Sequence, residues 1–361
     1  MAAHASQVYT WEPSNAAIAA RYGLSPADIL RFDTNTSPFA PDFVRQALGG
    51  PFDPPLNEYP DSSYADLTAA AADYFAVAPD EIVVGAGADE VLDLAAKAYL
   101  PAGSAALVPV PTYAMYGVLS TQRAARIVAV PRRPADDGFA LELPQVCARL
   151  ADVAVVWLCS PNNPTGAAEA PEAIEEVLRT AAELSEPPLV VVDEAYHEFV
   201  GQTVISWRRR YPNLLAVRTL SKAFALPGIR VGFGVGVRDV VARLERVRPP
   251  GSISTISAHL AAEALRRPEL AGRNVAALAT EREWLSAQLA GVGWRPAPSV
   301  TNFLLVRIGD HDAAERAAEG LLRVGVVPRT FGPANPLRGH LRLTVRSRTE
   351  NERLLDAVRR L

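Results

Sequence analysis

Through the middle of the chain, apolar residues cluster in short, nearly unbroken runs rather than alternating with polar ones. Residues 82–85, 105–110, 126–130, 153–159, 189–193, 215–219 and 230–235 are such runs, rich in β-branched residues and bounded by Gly, Pro or Asp. Strands that bury both faces in a parallel sheet carry this pattern, because neither face meets water. Longer segments rich in Ala, Leu, Glu and Arg separate many of the runs. The alternation predicts an α/β fold, a mostly parallel seven-stranded sheet covered by helices, over residues 41–245.

Beyond Val240 the pattern changes. A helical stretch over 256–289 precedes three strand-like pieces at 302–308, 326–329 and 340–345, which predicts a smaller α+β domain over 246–361. Residues 1–40, with Trp11-Glu-Pro and Asn35-Thr-Ser-Pro-Phe-Ala-Pro, hold little core signal. They are expected to form an arm lying against the small domain.

Composition narrows the partners. A chain of 361 residues, 49% hydrophobic and 21% charged, can bury a large core, more naturally in two domains than in one. The net charge of −4 comes with no basic tail or long like-charge run, so no electrostatic footprint for nucleic acid is present. A small molecule is the expected partner. Cys147 and Cys159 make neither a metal cluster nor a disulfide framework, and Met-Ala-Ala-His-Ala-Ser at the start has no leader pattern. A cytoplasmic protein is expected. The longest apolar run, 153–159, is too short to cross a bilayer.

Only Lys97 and Lys222 are lysines, against a Lys plus Arg total of 36. Lysine can lose its proton and attack a carbonyl, which guanidinium cannot. Lys97, in a helical run, reads as a surface residue. For Lys222, in Thr219-Leu-Ser-Lys-Ala-Phe-Ala-Leu-Pro-Gly-Ile-Arg230, a snorkelling amine and a Schiff-base amine both fit, and its company decides. Asp193 ends a strand at the edge where open α/β sheets place ligands. It can pair with a protonated pyridine nitrogen, such as that of pyridoxal phosphate, or cap the next helix.

Asn163, in Ser160-Pro-Asn-Asn-Pro-Thr-Gly166, can offer its amide to a ring oxygen or belong to a plain turn. Gly85-Ala-Gly87-Ala-Asp89-Glu90 joins a strand to a helical run, an arrangement that frees backbone N–H groups for a phosphate. Glu90 stands where a dinucleotide fingerprint has its third glycine, so the turn fits a single phosphate better. Thr219, Ser221 and Arg230 can complete the cup, the arginine by gripping two oxygens at once. Tyr113 can stack on a planar ring or pack in the core. Arg329 and Arg342 flank a turn and can clamp an anionic substrate group or carry surface charge.

Taken in order, Asn57-Glu-Tyr59-Pro-Asp, Gly87-Ala-Asp-Glu90, Ser160 to Gly166, Val192-Asp-Glu-Ala-Tyr196, Thr219 to Phe224 and His340-Leu-Arg-Leu-Thr-Val345 resemble the motifs of fold type I pyridoxal-phosphate enzymes. More narrowly, the set is similar to the histidinol-phosphate aminotransferase family, over nearly the whole chain. The resemblance implies that Lys222 attaches to the cofactor's carbonyl and shuttles the substrate's α-proton. It implies that Asp193 keeps the ring nitrogen protonated, that Asn163 and Tyr196 bond the ring oxygen, and that Tyr113 stacks on the ring. Backbone amides of Ala88 and Asp89, with Thr219, Ser221 and Arg230, would hold the phosphate. Tyr59 would reach the cofactor of a neighbouring subunit, which implies a homodimer. Arg329 and Arg342, with Asn163 and Tyr59, would meet an amino donor such as histidinol phosphate or glutamate and a 2-oxo acid acceptor.

Two stretches depart from the family. Asn35-Thr-Ser-Pro38 replaces its usual Asn-Glu-Asn-Pro, and Val345 is followed by Arg346-Ser-Arg rather than glycine. The second departure looks more like threonine-phosphate decarboxylases, so a lyase on the same cofactor is the alternative. A nicotinamide-dependent dehydrogenase built on the Gly85 turn leaves Lys222, Asp193 and Asn163 without a role.

Overall fold

The computed structural model describes residues 12–361, so Trp11 lies outside the described residues. A two-residue strand, β1 (Leu30–Arg31), comes first. The apolar runs then become β2 (Ile82–Gly85), β3 (Ala105–Val110), β4 (Arg126–Pro131), β5 (Val155–Cys159), β6 (Leu189–Asp193), β7 (Leu214–Thr219) and β8 (Gly232–Gly236). These seven form one sheet in the order β2-β8-β7-β6-β5-β3-β4. All pairings from β7 to β4 are parallel, whereas β8 runs antiparallel to both of its neighbours. The run expected at 230–235 starts later because Arg230 adopts a left-handed φ of 52°, which breaks extended backbone.

Successive residues of a strand face opposite sides of its sheet. In β5 and β6, Val155, Trp157, Leu189 and Val191 pack with Tyr116 and the helix Ala88–Tyr99 on one side. Val156, Leu158, Val190 and Val192 pack with the helix Pro171–Ala182 on the other. Asp193 continues the odd-numbered series, so its carboxylate is delivered to the side that holds Tyr116.

The small unit contains β9 (Arg295–Pro296), β10 (Phe303–Arg307), β11 (Val326–Val327) and β12 (His340–Thr344). β10 lies antiparallel between β9 and β12, and β11 pairs in parallel with β1. The expected single helix over 256–289 is two helices, Thr255–Leu265 and Glu269–Gly291. Pro268 between them lacks an N–H and cannot continue the first helix. The arm contributes more core than its composition implies: Leu30 of β1 and Phe32 are buried with Leu304, Leu341 and Leu343, and Ile18 and Ile29 pack against Val327.

Candidate active site

Adjacent β5, β6 and β7 end side by side, and their following segments supply the core of the site. Asp193, the last residue of β6, is 4% exposed. Its Oδ1 accepts the Ala195 amide at 3.0 Å and its Oδ2 accepts the Tyr116 hydroxyl at 2.7 Å. Burial pushes its carboxyl up to about 6, against the pull of the Tyr116 bond. Loss of water penalises the charged form of any group, so the same effect acts downward on an amine. Lys222 is brought down to about 8, first by burial and then by the Arg342 charge. A nucleophilic amine needs this, since only its neutral form attacks.

The Lys222 amine donates to the Asn35 carbonyl at 3.3 Å and lies 5.6 Å from the centre of the Tyr196 ring. Asn35 has a left-handed φ of 53° and is 2% exposed. That turn lets both its carbonyl and its amide face inward. Its Nδ2 donates to the Tyr196 hydroxyl at 2.9 Å, and its carbonyl also accepts Asn302 Nδ2 at 2.9 Å. The altered Asn35-Thr-Ser-Pro38 segment therefore keeps one residue at the centre of the site. Tyr196 is wedged edge-on against Phe303 of β10, and burial holds its phenol well above the ordinary value.

Asn163 Oδ1 accepts Arg342 Nη1 at 2.6 Å, and Arg342 Nη2 donates to the Asp33 carbonyl. The Arg342 guanidinium stands 5.4 Å from the centre of the Phe303 ring. Arg329 is held beside it by a two-way backbone exchange with Arg342, 3.0 Å in each direction. The Arg329 side chain also pairs with Glu12 of the arm at 3.5 Å.

At the other end, Gly87 caps the helix Ala88–Tyr99 with a φ of +84°. A side chain at Gly87 would collide with the Arg230 guanidinium, and one at Gly232 would collide with the Ala88 amide. Glycine at these two positions lets an arginine and a strand crowd onto a helix N-terminus. Arg230 Nη2 reaches Asp89 Oδ2 at 3.3 Å, and the Tyr113 hydroxyl donates to Asp89 Oδ1 at 2.9 Å. Thr219 donates to Ser221 at 2.9 Å, both nearly buried. Glu90 accepts the Ala86 amide at 2.5 Å, so the residue in the third-glycine position closes the turn instead.

Lys222, Asp193, Asn163, Tyr196 and Arg342 thus form one linked cluster, with Arg329 joined through Arg342. Ala88, Asp89, Tyr113 and Arg230 gather at the helix start. Tyr59 stands outside both groups, 92% exposed. The decarboxylase-like ending has a structural use: Ser347 and Glu350 form a reciprocal cap on the helix Arg348–Val358, and Arg346 binds Glu350 at 2.7 Å. Sequence reasoning missed Asn35, Asn302 and Tyr116 as site residues. Their partners lie far along the chain, and the one local signal was the placement of Tyr116 three residues after Tyr113, one helical turn away.

Residues 27–359 match the family model described as "Aminotransferase class I and II", and the chain belongs to this family. Within it the chain falls with the histidinol-phosphate aminotransferases. The one from Xanthomonas euvesicatoria pv. vesicatoria is 38% identical over 325 residues, 87% of this chain and 88% of the relative. That of Thermococcus gammatolerans is 34% identical over 331 residues, 91% of each chain. A crystal structure of histidinol-phosphate aminotransferase from Sinorhizobium meliloti in complex with pyridoxal-5'-phosphate is similar with a TM-score of 0.86 and 26% identity, covering 98% of this chain and 96% of that one. Among the described residues no helix is long and apolar enough to cross a membrane, and no group of His, Cys, Asp and Glu could hold a metal ion.

Proposed function

We propose that the protein is a pyridoxal-phosphate-dependent aminotransferase. It exchanges the amino group of L-histidinol phosphate with 2-oxoglutarate, giving imidazole acetol phosphate and L-glutamate. One observation carries the reading: an amine of lowered basicity, Lys222, shares a site with a buried carboxylate, Asp193, and with the Asn163–Arg342 pair. The cradle fits the cofactor. The bare backbone of Gly87 lets the Arg230 guanidinium close over the start of the helix Ala88–Tyr99, whose free amides suit a phosphate, and Asp193 is a buried acceptor suited to a ring N–H.

Bound pyridoxal phosphate supplies the electron sink that makes the substrate's α-proton acidic. Lys222, able to be neutral at its lowered basicity, would hold the cofactor at its carbonyl carbon with loss of water, and once released would move the substrate's α-proton. Asp193 holds a proton on the ring nitrogen. Tyr196, whose hydroxyl oxygen is occupied by Asn35, keeps its own proton to donate to the ring oxygen, and Asn163, whose Oδ1 is occupied by Arg342, offers Nδ2 to the same atom. Tyr113, its hydroxyl tied to Asp89, would cover the ring face. Arg230, Thr219, Ser221 and the amides of Ala88 and Asp89 hold the phosphate. Arg342 and Arg329 orient the anionic substrate groups, alternately of the amino donor and of the 2-oxo acid, beside Asn163 and a Tyr59 contributed by the second subunit.

The working unit is a homodimer in the cytoplasm. Support for the dimer comes from Tyr59, Leu56, Leu48 and Ile256, large apolar side chains that are exposed in the single chain. To test the reaction, the pyridoxal-loaded protein is mixed with histidinol phosphate and, separately, with threonine phosphate. Pyridoxamine phosphate should form from the first compound. Carbon dioxide from the second, with no pyridoxamine phosphate from either, would make the protein a lyase.

A further inference from the structure

Each oxygen of Asp193 has its own donor, and one of them was absent from the family-like motifs. Tyr116, on the helix Met115–Gln122, is fully buried and sends its hydroxyl to Asp193 Oδ2 at 2.7 Å. Its ring is stacked on Trp157 at 5.5 Å and 5°, with Tyr113 edge-on at 5.7 Å. Behind it, Trp157 Nε1 donates to Ser120 Oγ at 3.1 Å, and Ser120 donates to the Tyr116 carbonyl at 2.7 Å. A ring held from both sides and from its own backbone cannot swing, so the direction of its O–H is set by packing.

The groups facing Asp193 are few. From β5 comes Cys159, whose buried thiol is pushed up to about 12 and stays neutral. From the helix Ala88–Tyr99 comes the like charge of Asp89, from the segment after β7 the opposite charge of Lys222, and from the segment after β6 the neutral phenol of Tyr196. Tyr116 itself is driven far above its ordinary range by burial, so it remains a donor at any working pH. A carboxylate without water and near a second acid tends to take up a proton. A fixed donor opposes this by bonding the charged form.

We propose that Tyr116 is a positioning residue, holding Asp193 ionised and turned toward the cofactor's ring nitrogen. The inference rests on the reading of Asp193 as that nitrogen's partner. A protonated Asp193 would instead present a donor to the ring and remove the charge that drives the chemistry.

Tyr116→Phe keeps the stacked ring and removes only the hydroxyl. Two readouts are taken: the dissociation constant of pyridoxal phosphate from the apoprotein, and the pH at which the visible absorbance of the loaded protein titrates. Tyr116→Phe should weaken binding about tenfold, the worth of one hydrogen bond to a charged group. It should also move the titration to higher pH, because a ring nitrogen less firmly protonated withdraws less charge. Asp193→Ala should weaken binding further. If Asp193→Ala binds as wild type does, the reading of Asp193 itself fails. If Asp193→Ala is impaired while Tyr116→Phe matches wild type in both readouts, the Tyr116 inference is overturned. Ser120→Ala disturbs the same wall without touching Asp193 and should lower the melting temperature while leaving both readouts in place. A titration shift in Ser120→Ala equal to that of Tyr116→Phe would assign the effect to packing and overturn the hydrogen-bond role.

Discussion

Arg342 Nη1 and Asn163 Oδ1 meet at 2.6 Å across 179 positions of sequence. The bond ties the loop after β5, in the large sheet, to β12 of the small unit. Arg342 can also reach the Asp33 carbonyl at the same time because its guanidinium is a planar fork. Arg342→Lys supplies one point charge in place of the fork. Its KM for glutamate should rise about 100-fold, matching the loss of one bidentate contact of about 3 kcal/mol. Steady-state kinetics with glutamate as donor measures it, and an unchanged KM would remove Arg342 from substrate binding.

The two lysines make opposite predictions. Lys97 pairs with Asp93 one turn away at 2.6 Å on a partly exposed helix face, where arginine serves as well; Lys97→Arg should change stability by less than about 0.5 kcal/mol. With the role proposed for Lys222, Lys222→Arg should lose turnover by about three orders of magnitude or more, because the proton shuttle and the covalent bond would go together. The pH dependence follows from the lowered basicity of Lys222, about 8. Below that value the amine is mostly protonated, so the rate at which the apoprotein captures pyridoxal phosphate should climb about tenfold per pH unit and level off above it. Stopped-flow absorbance follows the capture, and a rate independent of pH from 6 to 8 would contradict the assignment.

Tyr59 is 92% exposed and has no place in the cluster of its own chain. If it serves the partner's cofactor, Tyr59→Ala and Lys222→Ala subunits should rescue each other when unfolded together and refolded. A mixed dimer then contains one site with both residues intact, so recovery should approach about a quarter of wild-type activity under random pairing of a two-fold dimer. No recovery, with mixed dimers demonstrated by mass, would place Tyr59 in its own subunit's chemistry.

Runs such as 189–193 and 215–219 were legible because a strand covered on both faces is mostly apolar, and a breaker marks its end. Asp193 stood out because it ends such a run, and Asn163 and Lys222 because each follows one. That β5, β6 and β7 are neighbours, which turns three strand ends into one site, is a pairing choice that no local pattern encodes. Asn35 and Asn302 were illegible for the same reason at the level of single residues, and Tyr116 had only its spacing from Tyr113 to mark it. Asn35 finds Tyr196 at a separation of 161 positions, Asn302 finds Asn35 at 267, and Tyr116 finds Asp193 at 77. The break at Pro268 had a local signal, since proline inside a helical pattern ends the preceding helix.

The buried pair Glu81–Arg208 predicts how the scaffold under the Gly87 turn responds to acid. Glu81 precedes β2, the strand that leads into the Gly87 turn. Its Oε2 accepts Arg208 Nη2 at 2.6 Å and the Ala78 amide at 3.0 Å, and both ionic side chains are almost wholly covered. The Arg208 hydrogen bond is the main reason the Glu81 carboxyl falls to about 2. A carboxyl lowered by folding contributes stability that is full above its unfolded value, near 4.5, and is lost as pH falls through about 2. Glu81→Gln leaves Arg208 buried without a counter-charge and should cost about 3 kcal/mol at pH 7. The gap between variant and wild type should then close as the pH is lowered from about 4.5 toward 2, because the wild-type carboxyl becomes neutral as well. Urea unfolding at a series of pH values measures this gap, and a constant difference across that range would show that the pair acts through shape rather than charge.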